Sequence, residues 1–566
     1  MVFLKGLPLA RQKTQTLESS PIKNTLIRDC IFLGAVVLVV QGLVVHKLGF
    51  YSDDWAFLSI FHHTADKSWL NLIQSFFSQD QVARMRPIQI VNLATLYWMF
   101  GTDPLGYHIA NSFFLLLVIL LFYLSLRALS LPHLLSVSIP LVFALLPNYS
   151  TDRIWLATFQ TNISIAFFFL NFLALTQVVK EDGNRVWRWG ILATFSVVIS
   201  LLAYEIILPM FLINFSLLAW DRKRGLHILQ TGFSSRQRLI LLLNVLAFGL
   251  CIIYKSIISV RTGGFHSSYW EHILYVYDAG MRNDFIAYGL KLPKVIWKIF
   301  STYLQPSLLV IGLLLGMLIF LYLRRTREVT YGASDWLKVL VAGMIVYWMG
   351  YLIFLTTSQF MVHPTGLANR VTMAASIGIA ITFIGFSGFL SCWIPSANIR
   401  RNFLPLAVAG IAFCGFIINC TIATFYHQAF PVQLKVLTDL RTAVPSLSNN
   451  SVVLIDGVCP YVGPAPVLEC HWDVTGILRI FYDLENVQGD FRNKNFRHNS
   501  QGVTTSIYGE ERFYPYHENL IIYNHQTNQK TVLKNATVAE AYFKNSTFNS
   551  SNSCPVGEEG YGVNIF

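Results

Sequence analysis

Charge is what this sequence has least of. Asp, Glu, Lys and Arg make up 13% of its 566 residues, against roughly 25% in a soluble globular chain. That deficit excludes an ordinary water-soluble fold. The chain also shows no internal repeat and no glycine-rich phosphate loop, so neither a solenoid nor a P-loop or dinucleotide site is expected. No small-residue cleavage site follows the first apolar run, and residues 1–28 carry Lys5, Arg11, Lys13, Lys23 and Arg28 against Glu18 alone. This segment reads as a cytoplasmic tail, not a cleaved signal. Cys459, Cys470 and Cys554 lack the spacing of a metal site. A Cys459–Cys470 bridge is expected, with Cys554 left over.

What the chain has instead is apolar length. Hydrophobic residues are 54% of it and the mean hydropathy is +0.50. Runs of about 18 to 25 apolar residues, the length a hydrocarbon core requires, recur through the first three quarters. The fold class is therefore a polytopic α-helical membrane protein. The formal charge of +12 is distributed unevenly: from Pro431 onward ten basic side chains face thirteen acidic ones, a net −3, so the preceding part carries +15. That excess sits in short loops between apolar runs, the positive-inside pattern, and no nucleic-acid partner is expected.

The first span is expected at about Ile31–Leu48, running outward, so that Asp53 and Asp54 emerge on the outer face of the plasma (inner) membrane. Residues 50–108 form a long first outer loop with interfacial helices around Trp69–Ile73 and Ile88–Leu93, and Arg84-Met85-Arg86-Pro87 between them. Ile109–Leu126 returns inward, Leu134–Leu146 goes out, and Ile163–Val179 comes back. Trp189–Trp220 is flanked by basic clusters at both ends, so it is expected to fold as two short helices meeting near Tyr204-Glu205. Further spans at Leu239–Tyr254, Tyr303–Leu323, Leu337–Leu355, Val371–Leu390 and Leu404–Phe425 bring the expectation to about eleven crossings. The resulting division is a tail at 1–28, a membrane domain at 29–426 and an outer soluble domain at 427–566. In that last part Ser451–Ile455, Ile477–Tyr482 and Leu520–Tyr523 read as strands, with a hairpin turn at Asn524–Asn528, giving a mainly β or α/β domain.

This topology places Asp53, Asp54, Arg84, Arg86, His108, Asp152, Arg153, Glu205, Arg261, His363 and Arg370 near the outer surface. Ionisable groups at such depths face a cavity or one another. Carboxylates deprotonate a hydroxyl or hold a divalent ion, and guanidinium groups match phosphate oxygens in a fork. Carboxylates beside a phosphate clamp at a membrane surface point to transfer from a lipid-linked phosphate donor. The bland readings are an acidic helix cap at Asp53-Asp54, snorkelling at Arg84 and Arg86, and a surface ion pair at Asp152-Arg153.

Four spaced motifs carry a resemblance. Tyr51-Ser52-Asp53-Asp54 after the first span, Arg86-Pro87, Tyr97-Trp98-Met99-Phe100-Gly101, and His108-Ile109-Ala110-Asn111 opening the second span resemble the GT-C glycosyltransferases. Within these the chain is similar to the protein mannosyltransferase and aminoarabinose transferase branch (glycosyltransferase family 39-like), over roughly residues 30 to 220. The resemblance implies a polyprenyl-phosphate sugar donor, inversion at the sugar carbon, and a glycan, lipid or protein acceptor reached from outside. It makes Asp53 the base or metal-associated group and Asp54 its neighbour, with Asp152 as a second acidic residue that would share a divalent ion with Asp53. Arg86 takes the basic position before proline, where the family commonly has Lys-Pro-Pro. Glu205 stands where the family often has a lysine. Arg84, His108 and Arg370 complete the expected substrate-binding set. A transporter or flippase of a lipid-linked or anionic substrate is the competing reading. The clustering of charge on one face, without paired broken helices, favours the enzyme.

Overall fold

The computed structural model describes residues 20–181, 183–218, 220–221, 225–226, 234–259, 268–326, 331–357, 360–546 and 554. Arg261 lies outside them. Among the described residues, nine helices are long and apolar enough to cross a membrane, or ten if one bent pair is a single span. The chain is thus a polytopic helical membrane protein with a C-terminal part that contains a sheet.

The apolar runs become helices in the expected order. α1 (Ser20–Val45) is followed by three short helices of the first outer loop, α2 (Asp53–His63), α3 (Trp69–Gln79) and α4 (Pro87–Phe100). α5 (Pro104–Ala128) starts with Pro at its first position and with Asp103 accepting the Leu105 N–H, a proline start plus an N-cap. α6 (His133–Leu145) contains Pro140, and the chain then bends by 65° into the turn Pro147–Arg153. α7 (Gln160–Lys180) and α8 (Arg185–Ala203) pack as neighbours, and α9 (Phe211–Leu218) closes a hairpin on α7. Asn171 of α7 receives both ends of it, donating to Ala193 O and accepting from Asn214. The tip of that hairpin is Tyr204-Glu205, as its basic flanks imply.

Eleven crossings were expected and two of them are of a different kind. One is the bent pair after α6. The other, Glu205–Ser216, is a short apolar piece, about 18 Å long at 1.5 Å per residue and so too short for a core of about 30 Å. The remaining spans are α10 (Ser235–Ile258), α13 (Pro306–Arg324), α14 (Ala333–Tyr351), α15 (Met373–Ser391) and α16 (Ala397–Ala443), with α11 (Tyr269–Met281) and α12 (Leu292–Lys298) in the segment before α13. α14 and α15 meet through glycines: a Cβ on Gly378 would stand 2.2 Å from the Tyr347 nitrogen.

α16 runs unbroken for 47 residues through the expected boundary at 427. The sheet-containing part therefore begins at the strand Val452–Asp456, not at Tyr426. Its four-stranded sheet has Val452–Asp456 parallel to both Leu520–Asn524 and Gln488–Phe491, with Gln529–Val532 antiparallel at the edge. The turn expected at Asn524–Asn528 joins Leu520–Asn524 to Gln529–Val532. Ile477–Tyr482, expected as a strand, is instead the end of α17 (His471–Tyr482). Val474, Ile477 and Leu478 are its buried face, at helical spacing, and Asp473 accepts the backbone N–H groups of Glu469 and Cys470, which lead into the helix. α18 (Ala536–Asn545) completes the part. The expected Cys459–Cys470 bridge is also corrected: Cys459 pairs with Cys554, and Cys470 is free and buried at the start of α17.

Candidate functional site

The loop between α1 and α2 is held from four sides. His108 Nε2 meets Gly49 O at 3.0 Å, Tyr51 O–H donates to Tyr426 O of α16, and Trp155 Nε1 donates to Tyr51 O at 2.9 Å. Gly49 lies so close to α16 that a Cβ there would fall 2.0 Å from the Phe430 ring. Asp54 is the fourth anchor. It is fully buried, and its two oxygens accept the Tyr51 and Ala157 backbone N–H groups, each at 2.9 Å. Asp54 thus ties the loop between α1 and α2 to the segment between α6 and α7, and its oxygens are taken up by backbone. Burial pushes its carboxyl well above the usual range, aided by the Asp53 charge. His108, buried against Phe159, is likewise a brace for Gly49.

Asp53, one residue earlier, is half-buried and turns to a different set of neighbours. Burial raises its carboxyl, while Arg370 and then the Trp472 N–H and Ser52 hydroxyl favour its charged form. Asp80 adds a repulsive charge. Arg370 comes from the 3-10 turn Leu367–Thr372, sewn onto Pro147–Arg153 by Thr151 Oγ1 to Gly366 O at 2.7 Å and Ser150 Oγ to Asn369 Oδ1 at 3.2 Å. This stitching brings Arg370 to Asp152 as well, and its guanidinium lies 5.1 Å from the Trp155 ring centre. Asp152 is fully buried, and its carboxylate oxygens have no hydrogen-bond partner at normal geometry. The charge of one arginine therefore bears on two carboxylates from separate loops.

The hairpin tip supplies the second half of the cluster. Arg86 donates to Glu205 through Nη2 at 2.5 Å and Nε at 3.2 Å, with its guanidinium 4.4 Å from the Tyr204 ring centre. Lys255, in the last turn of α10, donates to Glu205 Oε2 at 2.9 Å and to Met85 O at 2.8 Å. Tyr204 feels the charges of Arg86, Glu205, Arg370 and Asp152 together, so the two halves are one electrostatic unit. Glu205 is thus a holder of cations, and the cation expected at the tip is provided by Lys255. Sequence reasoning passed over Lys255, although a lone lysine at the outer end of a span, against the positive-inside bias, was its signal.

Arg84 stands apart. Its guanidinium donates to Phe77 O and Ser78 O, pinning the end of α3. Arg153 is buried and donates to Leu146 O. His363 lies by a cavity of about 320 Å³ with Arg282, Lys291 and Lys294. For a divalent ion the fit is poor. Among the described residues no group of three or more His, Cys, Asp or Glu side chains could hold one, and Arg370 already bears on both Asp53 and Asp152.

No protein-family model matches the chain, and no curated protein matches it. Among solved structures it is similar to ArnT from Cupriavidus metallidurans bound to undecaprenyl phosphate. The identity is 12% over 81% of this chain and 85% of that one, with a TM-score of 0.36. The same enzyme in the apo state gives 13% identity over 80% and 84%, with a TM-score of 0.35. Likeness at this level leaves the function to be argued from the chemistry of the site.

Proposed function

We propose that the protein is a membrane glycosyltransferase moving a sugar from a polyprenyl-phosphate carrier to an acceptor hydroxyl at the outer membrane face. The acceptor would be a glycan, a lipid or a protein, and the N-terminus would lie in the cytoplasm. The observation that carries this reading is the single cluster in which Asp53 and Asp152 share Arg370 beside Arg86, Lys255 and Glu205. The motif resemblance around Asp53 and Arg86 supports it.

In this mechanism Asp53 takes the proton of the acceptor hydroxyl as the oxygen attacks the sugar carbon. The new C–O bond forms on one face while the bond to the carrier phosphate breaks on the other, with inversion. Negative charge grows on the departing phosphate oxygen, and Arg86, Lys255 and Arg370 are the cations within the cluster that stabilise it. Glu205 keeps Arg86 and Lys255 together despite their repulsion. Asp152 holds Arg370 toward Asp53.

A general base contributes about 10² to 10⁴ in rate, so Asp53→Asn should lose transfer by that factor while expression and membrane insertion persist. Transfer at the wild-type rate in that variant rejects Asp53 as the base.

A further inference from the structure

The C-terminal part does not merely sit above the membrane domain. α17 lies on α2 so closely that a Cβ on Gly476 would stand 2.5 Å from the Trp55 carbonyl. His62 of α2 also meets Asp483, just after α17, at 3.2 Å. Just before α17, Glu469 is 2% exposed and reaches the residue that precedes Asp53. The Ser52 hydroxyl lies 3.1 Å from Glu469 Oε2 and 3.5 Å from Asp53 Oδ1, so one hydroxyl hydrogen faces two carboxylates from different parts of the chain. Ser52 holds this place at φ 50° and ψ −122°, a conformation costly for a residue with a Cβ. Strain at a buried serine between two acids is an arrangement that packing alone does not require.

We propose that Glu469 is a further carboxylate of the site, exchanging a proton with Asp53 through the Ser52 hydroxyl, so that the C-terminal part supplies the group that takes over the proton removed from the acceptor. This rests on the reading of Asp53 as the base. The step balances without a co-reactant. Protonated Asp53 gives its proton to Ser52 Oγ as the Ser52 hydroxyl proton passes to Glu469 Oε2. One proton moves across, and no electrons are exchanged.

The surroundings of the pair fit this role. Glu469 Oε1 accepts the Tyr461 hydroxyl at 2.6 Å and the Tyr508 hydroxyl, and its own N–H donates to Asp473. The charges that bear on Glu469 or that it bears on are Asp53 and Tyr426 from the membrane domain and Cys470, Asp473 and Tyr508 from its own part. Asp53 in turn faces Arg370, Asp80, Asp54 and Trp472. Burial raises the Glu469 carboxyl, and the Asp53 charge raises it further. A carboxyl held above its ordinary range is the kind that accepts a proton and releases it.

The test uses full-length protein in nanodiscs, and its first measurement needs no substrate. Infrared titration follows the protonated carboxyls of wild type, Asp53→Asn, Glu469→Gln and Ser52→Gly, glycine being the residue that adopts the Ser52 backbone without strain. Two coupled carboxyls titrate in two steps, and the upper step is raised by the charge of the partner. The steps left in D53N and in E469Q should therefore each lie about one pH unit below the upper step of wild type. Identical steps in wild type and both variants overturn the coupling. In S52G the transfer rate should fall by about 10²-fold, the low end of an acid–base contribution. An S52G enzyme with wild-type rate and pH profile overturns the relay. Coupling in the titration combined with full transfer by D53N would retire the base assignment instead, so the two failures are distinguishable.

Discussion

Replacing Glu205 by glutamine removes the carboxylate that Arg86 and Lys255 share. The side chains of Arg86, Lys255 and Glu205 are 20%, 12% and 26% exposed, so the group is neither a surface pair nor a sealed one. Exposed pairs are worth up to about 1 kcal/mol. Stripping one partner from a buried pair costs about 3–5 kcal/mol. Glu205→Gln, which leaves two cations facing each other, should lie between, at about 2–3 kcal/mol. Arg86→Gln leaves Glu205 with Lys255 and should cost about 1.5–3 kcal/mol, the range of a hydrogen bond to a charged group. The double variant should then cost less than the sum, with a coupling energy of about 1 kcal/mol or more. Reversible unfolding in mixed micelles, comparing the four proteins at one pH, measures the cycle. Additivity within about 0.3 kcal/mol would refute the shared carboxylate, because distant sites add to that accuracy.

Arg370→Gln withdraws the cation that favours ionised Asp53. The Asp53 carboxyl is already raised from its ordinary 3.8, so losing Arg370 moves it further up. A base works only when deprotonated, so the acid limb of the transfer rate should shift to higher pH, and an unmoved limb would contradict the pairing. Cys554→Ser opens a link between residues 95 apart. It should lower the stability of the C-terminal part by about 2–4 kcal/mol under oxidising conditions and leave it unchanged under reducing ones. Gly476→Ala drives a methyl into the Trp55–Ala56 backbone. Faster amide exchange across α2 and α17, with transfer reduced, is expected from it, and unchanged exchange would show the contact to be dispensable.

Much of the membrane domain was legible because its signal is length. A run such as Ile109–Leu126 has one way to satisfy its backbone in a bilayer, and it becomes α5. The break at Tyr204-Glu205 was readable from the basic residues on both flanks of Trp189–Trp220. The site was legible only in part. Asp53, Asp152, Arg86 and Arg370 lie in one cluster, but sequence alone does not separate Asp53 from Asp54. Only the backbone partners of Asp54, Tyr51 and Ala157, do that. Lys255 lies 50 residues from Glu205 and Glu469 lies 417 from Ser52. Contacts at such separations leave no local pattern. In the C-terminal part a six-residue window at Ile477–Tyr482 reads as a strand, whereas the helical period shows only over the whole of His471–Tyr482.

The central claim is that this site handles a sugar on a polyprenyl phosphate. Mass spectrometry of the lipid that copurifies with the full-length protein tests it most directly, with Arg86→Gln purified in parallel. The account predicts a polyprenyl phosphate or its glycosylated form in the wild-type preparation and its marked depletion in the variant. Only bulk phospholipid in the wild type, or equal polyprenyl phosphate in both, would contradict it.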